Sequence, residues 1–359
     1  MTDVTTEARM TRSATAVRTA SPARHTKRLH LVDELLRYGM VAVLIALLAV
    51  GEYLYPGFLD LANLKTILLQ NAPLGLIAVG MTFVMITGGF DLSVGALYGT
   101  GAVVYASLAT KGWALAPAAI LAIVLGLVAG AINGFVITRL KVNPFVTTLG
   151  TASVFGGATL LYSHSTPFAV SDIGFTKLGR GEVYGVPYSV WLLATVVVLA
   201  GLVLAKTVYG RSLYALGGNR EAARLVGMRV DLLRASAYVL VGGCSALAGV
   251  LVASRLGVGQ ADIGGTISLD AIAVVVIGGT SLLGGEGAIW RTVVGLLILA
   301  TLTNLLDSLA VDANIQSIVK GVIVIGAVAL DAYGRTLRGR ANDPPAQVEK
   351  QSTVKTDTP

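Results

Sequence analysis

The sequence predicts an all-α, polytopic membrane protein built as a bundle of about ten transmembrane helices. Of its 359 residues, 54% are hydrophobic and 13% are charged, whereas soluble domains carry about 25% charged residues. The mean hydropathy of +0.75 agrees with this assignment. The chain also contains a series of long apolar runs, and a helix needs about 20 apolar residues to cross a bilayer. This composition and the single Cys exclude a disulfide scaffold and argue against a soluble enzyme.

Ten apolar runs define a predicted membrane domain over residues 38–332. In the fourth run, Gly126, Gly130 and Gly134 repeat every four residues. Small residues at this spacing let helix backbones approach closely in lipid, so we expect tight helix packing there. The runs cover 38–55, 72–88, 93–110, 114–138, 144–162, 188–206, 235–256, 270–283, 289–309 and 315–332.

The chain ends, residues 1–37 and 333–359, are predicted to be disordered cytoplasmic tails. Both are polar and basic, and the first is too long for the start of a secretory signal. Of the 27 Lys and Arg residues, most lie in these tails and in the loops after every second run. Because basic residues favour the cytoplasmic side, both termini are predicted to be inside. A basic tail can also contact anionic lipid, which makes membrane lipid an expected partner.

The sequence lacks the motifs of common catalytic and metal sites. It contains neither GxxxxGK[ST] nor HExxH, and it has no cluster of Cys and His. We therefore expect a chain that is not an enzyme, binds no metal or cofactor itself, and has no nucleic-acid partner.

Few polar side chains lie in or beside the apolar runs, and this scarcity argues against transport coupled to an ion gradient. The charged residues are Asp91, Glu286, Asp307 and Lys320, with Asp270 at the start of a run. The neutral amides are Asn133, Asn304 and Gln316. In a membrane, ionisable residues are the first functional candidates. The amides have two interpretations: they form hydrogen bonds between helices, or they meet a polar solute on its way across the bilayer.

Two glycine-rich junctions interrupt apolar runs in a similar way. They read MITGGFDLSVGALYG over 85–99 and VIGGTSLLGGEGAIW over 276–290. Broken helices of this kind line many transport pathways, but tight turns in which Gly adopts a positive φ look the same. Both interpretations stay open on the sequence. The candidate residues of a translocation path or gate are Gly88, Gly89, Asp91, Ser93, Asn133, Gly278, Gly279, Gly285, Glu286 and Asn304.

The longest predicted inside loop between runs, residues 206–234, contains a helical pattern. Asn219 suits an N-cap, Glu221 follows in the first turn, and Gly227 suits the end of the helix. A short capped helix on the cytoplasmic face either docks on a partner protein or lies on lipid headgroups. The residues alone leave both possibilities open.

The segment EAARLVG, residues 221–227, is similar to the EAA-x-x-x-G loop of ABC importer permeases. The wider segment YGRSLYALGGNREAARLVGMRVD resembles the branch that carries monosaccharides such as ribose, xylose and arabinose. Three further stretches agree with that branch: GMTFVMITGGFDLSVGA, NPFVTTLGTASVFGG and LDAIAVVVIGGTSLLGGEGAIW. The resemblance covers about 38–332. Residues 228–240 lack the Pro that follows the loop in some other ABC permeases, so coupling geometry should not be copied from those.

The resemblance implies a permease subunit of a binding-protein-dependent ABC importer for a monosaccharide or related polyol, in a bacterial inner membrane. Its expected partners are cytoplasmic P-loop ATPase subunits, an extracytoplasmic sugar-binding protein and a second copy of the permease. ATP and Mg²⁺ would bind the ATPase. A coupling helix would run from Gly217 to Gly227, with Arg220 and Arg224 facing acidic ATPase residues. The matching positions are Gly217, Gly218, Asn219, Arg220, Glu221, Ala222, Ala223, Arg224 and Gly227.

Three other functions are alternatives to this one. A permease of a sibling ABC branch, for branched-chain amino acids or a nucleoside, would use the same fold and loop. A secondary transporter predicts essential carboxylates in mid-span. A non-transport scaffold would not need glycine-rich breaks in its helices.

Overall fold

The computed structural model describes residues 23–342, with side chains described for residues 39–326 and for positions 328 and 329. Contacts divide the chain into two units, Met1–Gly39 and Met40–Pro359. The first helix begins at Ala23 and the last ends at Asn342. Parts of both predicted tails are therefore helical, because helix formers such as Glu34, Leu35 and Leu36 continue the helical pattern beyond the apolar run. The remaining tail residues lie outside the described range.

Helices make up most of the described structure, which also contains four two-residue strands and the connecting turns. The helices are α1 Ala23–Leu54, α2 Leu61–Ile86, α3 Val94–Thr110, α4 Leu115–Thr138, α5 Pro144–Ser163, α6 Ile173–Arg180, α7 Tyr188–Lys206, α8 Val208–Gly218, α9 Arg220–Leu225, α10 Val230–Leu256, α11 Ile267–Ile277, α12 Ile289–Ser308 and α13 Ala313–Asn342. The strands are β1 Phe168–Ala169, β2 Glu182–Val183, β3 Val186–Pro187 and β4 Val258–Gly259.

Six of these helices are long and apolar enough to cross a membrane: α2, α4, α5, α7, α10 and α12. Four shorter apolar helical segments are Gly39–Leu54, Val94–Thr110, Ile267–Ile277 and Ala313–Gly326. Each of the ten predicted runs overlaps one of these helices. The all-α, multi-pass prediction is thus confirmed, whereas the count of ten spans and the side of the termini stay predictions.

Helix α10 is the central element of the bundle and packs on α4, α3 and α2. Its contact with α4 runs along the glycine stripe predicted from the sequence. A Cβ on Gly126 would overlap Ala246 and the Gly242 carbonyl, and a Cβ on Gly134 would lie 2.9 Å from the Ala235 Cα atom. A Cβ on Gly130 would overlap the Tyr238 carbonyl oxygen. The predicted tight packing is confirmed, because only glycine allows these two backbones to touch.

The other faces of α10 use the same kind of contact. A Cβ on Gly249 would overlap the Tyr98 carbonyl of α3, and a Cβ on Gly80 of α2 would lie 2.8 Å from the Val241 Cα atom. Small residues on three sides therefore bring α10 into backbone contact with three neighbours.

Short elements between α5 and α7, together with β4 after α10, form a small substructure that hydropathy did not predict. Strand β1 pairs with β4, and β2 pairs with β3, both antiparallel. Helix α6 is held against the bundle by Phe175, whose ring stacks on Tyr105 at a centroid distance of 4.7 Å. The Ser254 hydroxyl donates to the Phe175 carbonyl and accepts from the Gly179 amide.

We predict that Gly130→Ala destabilises the protein by about 1–3 kcal/mol, because the added methyl group forces α4 and α10 apart. Gly201→Ala on α7 is the matched control, since its Cβ would meet nothing within 4 Å. Thermal unfolding of both variants in the same detergent measures the difference. Equal melting temperatures for Gly130→Ala and the wild type would show that the helices do not need this contact.

Candidate functional site

Three non-adjacent segments meet at one end of the bundle, and we call their meeting point the glycine junction. It comprises Ile86–Gly88 after α2, Gly217–Gly218 at the end of α8, and Gly284–Gly285 between α11 and α12. The structure thus joins the segment predicted to couple to a partner with both predicted gate junctions.

Gly217 lies at the centre of the glycine junction. A Cβ there would overlap both the Ile86 carbonyl oxygen and the Gly285 amide nitrogen. These two atoms are themselves hydrogen-bonded, with Gly285 N donating to Ile86 O at 2.9 Å. In return, a Cβ on Gly285 would lie 2.9 Å from the Gly218 Cα atom. Any side chain at Gly217 would therefore separate the end of α8 from both partners.

Gly284 and Gly88 form the other half of the glycine junction. Both adopt a positive φ, +92° and +72°, which L side chains rarely adopt. A Cβ on Gly284 would lie 2.7 Å from the Gly88 nitrogen, and one on Gly88 would lie 3.0 Å from the Leu283 carbonyl oxygen. The two loops thus need glycine both for their own turns and for their mutual approach.

Side chains from α8 and α10 connect to the same loops. Tyr214 of α8 donates its hydroxyl to the Gly287 carbonyl at 2.8 Å. From α10, the Arg234 guanidinium donates to the Gly88 carbonyl at 3.4 Å. Movement of α8 is therefore linked to the segment before α12 by a side chain as well as by the backbone.

A buried polar cluster lies just beyond Gly88 and Gly89. Asp91 Oδ1 accepts hydrogen bonds from the amide and hydroxyl of Ser93, at 2.8 and 2.6 Å. Asn133 of α4 donates to the Ser93 hydroxyl at 2.8 Å. All three side chains are fully buried. Burial raises the pKa of the Asp91 carboxyl to about 6, and the Ser93 hydrogen bonds oppose that rise.

The three amides predicted to bridge helices do so. Asn133 of α4 bonds Ser93 before α3, Asn63 of α2 donates to Asn304 of α12 at 3.0 Å, and Gln316 of α13 donates to Asp307 of α12 at 2.8 Å. Asn63 lies near the start of α2, and the glycine junction follows the end of α2. Asn304 is therefore remote from the other gate candidates.

Two charged residues inside the apolar helices also pair with each other. Lys320 of α13 and Asp270 of α11 form an ion pair at 3.8 Å. The sequence singled out both Lys320 and Asp270 but did not predict that they pair. Because each charge lies beside an opposite one, the pair avoids the cost of an isolated charge in an apolar environment.

Gly278, Gly279 and Glu286 lie at the edges of the second junction. Gly278 packs on the backbone of α12, where its Cβ would meet the Arg291 carbonyl at 2.6 Å. Gly279 adopts a φ of +75° and is exposed. The exposed Glu286 contributes its carbonyl, which accepts from the Ser281 amide at 3.1 Å. These residues shape the turn, while Gly284 and Gly285 make its contacts with the other segments.

The predicted coupling helix is shorter than expected. Gly217 and Gly218 end α8, and α9 is a separate helix of six residues. Asn219 is its N-cap, as predicted, accepting from the Ala222 amide at 2.9 Å. The exposed Gly227 follows with a φ of +81°. The extended backbone of Asn219 separates α8 from α9, so the segment is two helices joined at a cap.

Helix α9 is fixed to the start of α10 by one apolar and one ionic contact. Ala223 is buried against Leu216 and Val230. Arg220 donates to Asp231 at 2.9 Å, and Arg224 lies 3.7 Å from the same carboxylate. Both Arg residues were predicted to face acidic groups of a partner, and here they share an acidic group of their own chain.

Two highly exposed apolar side chains of this region were not among the predicted site residues. Leu225 is 87% exposed and Val226 is 77% exposed, at the end of α9. Glu221 and Ala222 are exposed beside them. The sequence shows two apolar residues between basic ones in this loop. That pattern does not distinguish exposed apolar residues from buried ones.

Within the described residues, no group of three or more His, Cys, Asp or Glu side chains is arranged to hold a metal ion.

Comparison with known proteins identifies the family. A family model described as a branched-chain amino acid transport system permease component matches residues 63–328. This chain belongs to that permease family. The chain is also 40% identical over 311 residues to the ribose import permease protein RbsC of Bacillus subtilis, covering 85% of this chain and 95% of that protein.

Two further relatives extend the comparison. The ribose import permease protein RbsC of Escherichia coli K12 is 40% identical over 80% of this chain and 91% of its own length. The L-arabinose transport system permease protein AraH of the same strain is 36% identical, over 83% and 90%. No solved structure matches the chain. As a permease component, this multi-pass membrane protein is a transport subunit and not an enzyme.

Proposed function

We propose that this chain is the membrane-spanning permease subunit of a binding-protein-dependent ABC importer, and that it carries a monosaccharide or related polyol inward. The observation that carries this proposal is its 40% identity to a ribose import permease over 95% of that protein's length. The arabinose permease supports the same substrate class. The glycine junction supports a role in which movement at the cytoplasmic face reaches the bundle.

In the proposed arrangement, residues 38–332 form ten spans in a bacterial inner membrane, with 206–234 as the cytoplasmic coupling loop. The tails, residues 1–37 and 333–359, lie in the cytoplasm. The six long apolar helices and the four shorter ones support ten crossings. Basic residues concentrated after every second span support the orientation.

The proposed lever is α8 together with α9. A P-loop ATPase, which binds ATP and Mg²⁺, contacts the exposed face of α9, including Glu221, Ala222 and Arg224. Closure of the ATPase favours one position of α9. The shift between the two positions is only as large as the difference in the affinity of the ATPase for them. Gly217 and Gly218 carry that displacement to the segments after α2 and before α12.

The proposed gate is the pair of loops in the glycine junction with the polar cluster beside it. Gly88, Gly284 and Gly285 close the loops against each other by backbone contact, and Gly89 packs against the Tyr238 side chain of α10. Asp91 and its partners Ser93 and Asn133 are fully buried in this state. Separation of the loops would bring these polar groups to the solute path, where hydroxyl groups of a sugar can replace their internal hydrogen bonds.

The proposed assembly contains further partners outside this chain. A second copy of the permease completes the pathway, an extracytoplasmic sugar-binding protein delivers the solute, and lipid surrounds the apolar surface. Many large apolar side chains of α4, α5 and α7 are exposed, which supports contact with lipid or another permease copy.

A second candidate substrate class is branched-chain amino acids, because the family model carries that description. Uptake distinguishes the two classes. In cells that lack this permease, expression of the chain with its own ATPase and binding protein is expected to restore uptake of radiolabelled ribose, arabinose or xylose. Leucine uptake is expected to stay at the background level. Restored leucine uptake, or uptake driven by an ion gradient after ATP depletion, would contradict the proposal.

We predict that Gly217→Ala lowers sugar uptake about tenfold or more, because the added methyl group separates α8 from Ile86 and Gly285. An overpacked contact costs about 1–3 kcal/mol, and tenfold corresponds to about 1.4 kcal/mol. The matched control is Gly201→Ala on α7, which lies outside the glycine junction and whose Cβ would meet nothing within 4 Å. Uptake and ATP hydrolysis are measured in parallel. Equal uptake by the two variants would remove the glycine junction from the transport cycle.

Glu221→Lys is expected to reduce uptake at least tenfold while the protein still inserts into the membrane. Glu221 is exposed on the first turn of α9, so reversal of its charge disturbs a partner surface rather than the bundle, and like charges across an interface cost several kcal/mol. Asp262→Lys, at an exposed position between β4 and α11, is the control. Co-purification of the P-loop ATPase with each variant reports docking. Normal uptake by Glu221→Lys would exclude α9 as the ATPase contact.

A further inference from the structure

A cationic cavity lies between α9 and the segment that joins α4 to α5. Its volume is about 270 Å³, and its charged lining residues are Lys141, Arg220, Arg224, Arg234 and Glu221. A water molecule's share of liquid volume is about 30 Å³, so the cavity has room for a small polyatomic anion and part of a larger molecule that carries it. Four cations therefore surround this space together with one carboxylate.

The positive charges of the cavity are only partly neutralised within the chain. Asp231 pairs with Arg220 and Arg224. Neither Lys141 nor Arg234 forms an ion pair with any side chain among the described residues. With Glu221 and Asp231 counted, the group keeps an excess of two positive charges at neutral pH.

Two guanidinium donors of the lining residues are also unsatisfied. The Nε atoms of Arg220 and Arg234 are buried and have no hydrogen-bond partner among the described residues. A buried donor without a partner costs free energy, more so when it is charged. An anion bound in the cavity would reduce the electrostatic part of this cost.

The backbone around the cavity adds to its positive potential and fixes its shape. Asn143 and Pro144 line the cavity and begin α5, a helix of 20 residues. The positive end of the helix dipole therefore faces this region. Lys141 adopts a φ of +57°, which is uncommon for a residue other than glycine. The lysine is thus held in a turn of specific backbone conformation beside the cavity.

We propose that this cavity binds a phosphate group, carried either by the headgroup of an anionic membrane lipid or by a soluble phosphate compound. A phosphate group has several oxygens and a formal charge of up to −2. It therefore suits three guanidinium groups and one ammonium group better than a carboxylate does. The bound phosphate connects the segment after α4 to α9. It thereby holds α9 in the position seen here.

Binding is tested on the full chain, purified in dodecyl maltoside, which carries no phosphate. Thermal unfolding is followed while dioleoylphosphatidylglycerol, dioleoylglycerol or inorganic phosphate is added. The variant is Lys141→Gln, which removes one cation that has no ion-pair partner among the described residues. The control is Lys206→Gln, an exposed lysine at the end of α7 that does not line the cavity.

The proposal predicts that a phosphate-bearing ligand raises the melting temperature of the wild type and of Lys206→Gln. For Lys141→Gln, the half-saturating concentration should be about tenfold higher. Stabilisation by phosphatidylglycerol, with no effect of dioleoylglycerol or phosphate, identifies a lipid as the source. Stabilisation by inorganic phosphate alone identifies a soluble compound.

Two results would overturn the proposal. One is an equal response of wild type and Lys141→Gln to every phosphate ligand. The other is loss of ATPase co-purification in Lys141→Gln without any phosphate dependence in either protein, which would assign the cavity to an acidic surface of the ATPase. The binding measurement needs neither ATPase nor sugar, so its failure is distinguishable from failure of the proposed transport function.

Discussion

Direct contact between polypeptide backbones, at positions where only glycine fits, is the constraint on which this structure depends. In lipid no hydrophobic effect drives two helices together, and their attraction comes from close packing and hydrogen bonds. Gly126 and Gly130 bring α4 onto α10 in this way, and Gly249 brings α10 onto α3. The glycine junction uses the same device outside the regular helices. Because a methyl group would break each contact, these positions cannot adjust gradually to larger residues.

Polar groups inside the bundle follow a second constraint, which is that each needs a partner when no water is present. Asp91 is the clearest case, since Ser93 supplies two donors to one carboxylate oxygen and Asn133 supports Ser93 from α4. Asp270 instead has the opposite charge of Lys320. Most polar candidates taken from the sequence are therefore internal connections in this state. Any role of theirs in transport requires the bundle to change state and release these bonds.

The sequence predicted well those features that depend on local patterns. Each apolar run overlaps a helix, because hydropathy over about 20 residues is a property of the segment itself. The N-cap at Asn219 and the glycine stripe of α4 depend on spacing of one or two turns, and both are confirmed. The glycine junction was not predictable, since Ile86, Gly217 and Gly285 are far apart in the chain and only the fold brings them together. Its glycines looked the same as those of an ordinary turn.

The same distinction explains the differences within the predicted site. Gly278, Gly279 and Gly285 were all predicted gate residues, yet only Gly285 makes contact with α2 and α8, together with Gly284, which was not predicted. Pattern alone ranks these two glycine pairs equally. Likewise, Leu225 and Val226 are exposed because α9 faces the bundle with Ala223. That orientation is fixed by the packing of Ala223 against Leu216.

The attachment of α9 defines what a partner at its exposed end would displace. Its first turn is held by the Asn219 cap and by the Arg220 contact with Asp231, and the highly exposed Leu225 and Val226 lie at its other end. In the proposed coupling, a partner at that end acts on a helix of only six residues, which has little length in which to bend, and the displacement passes to α8. Gly217 would carry it further, because its contact with Ile86 and Gly285 is already at the closest approach that backbones allow.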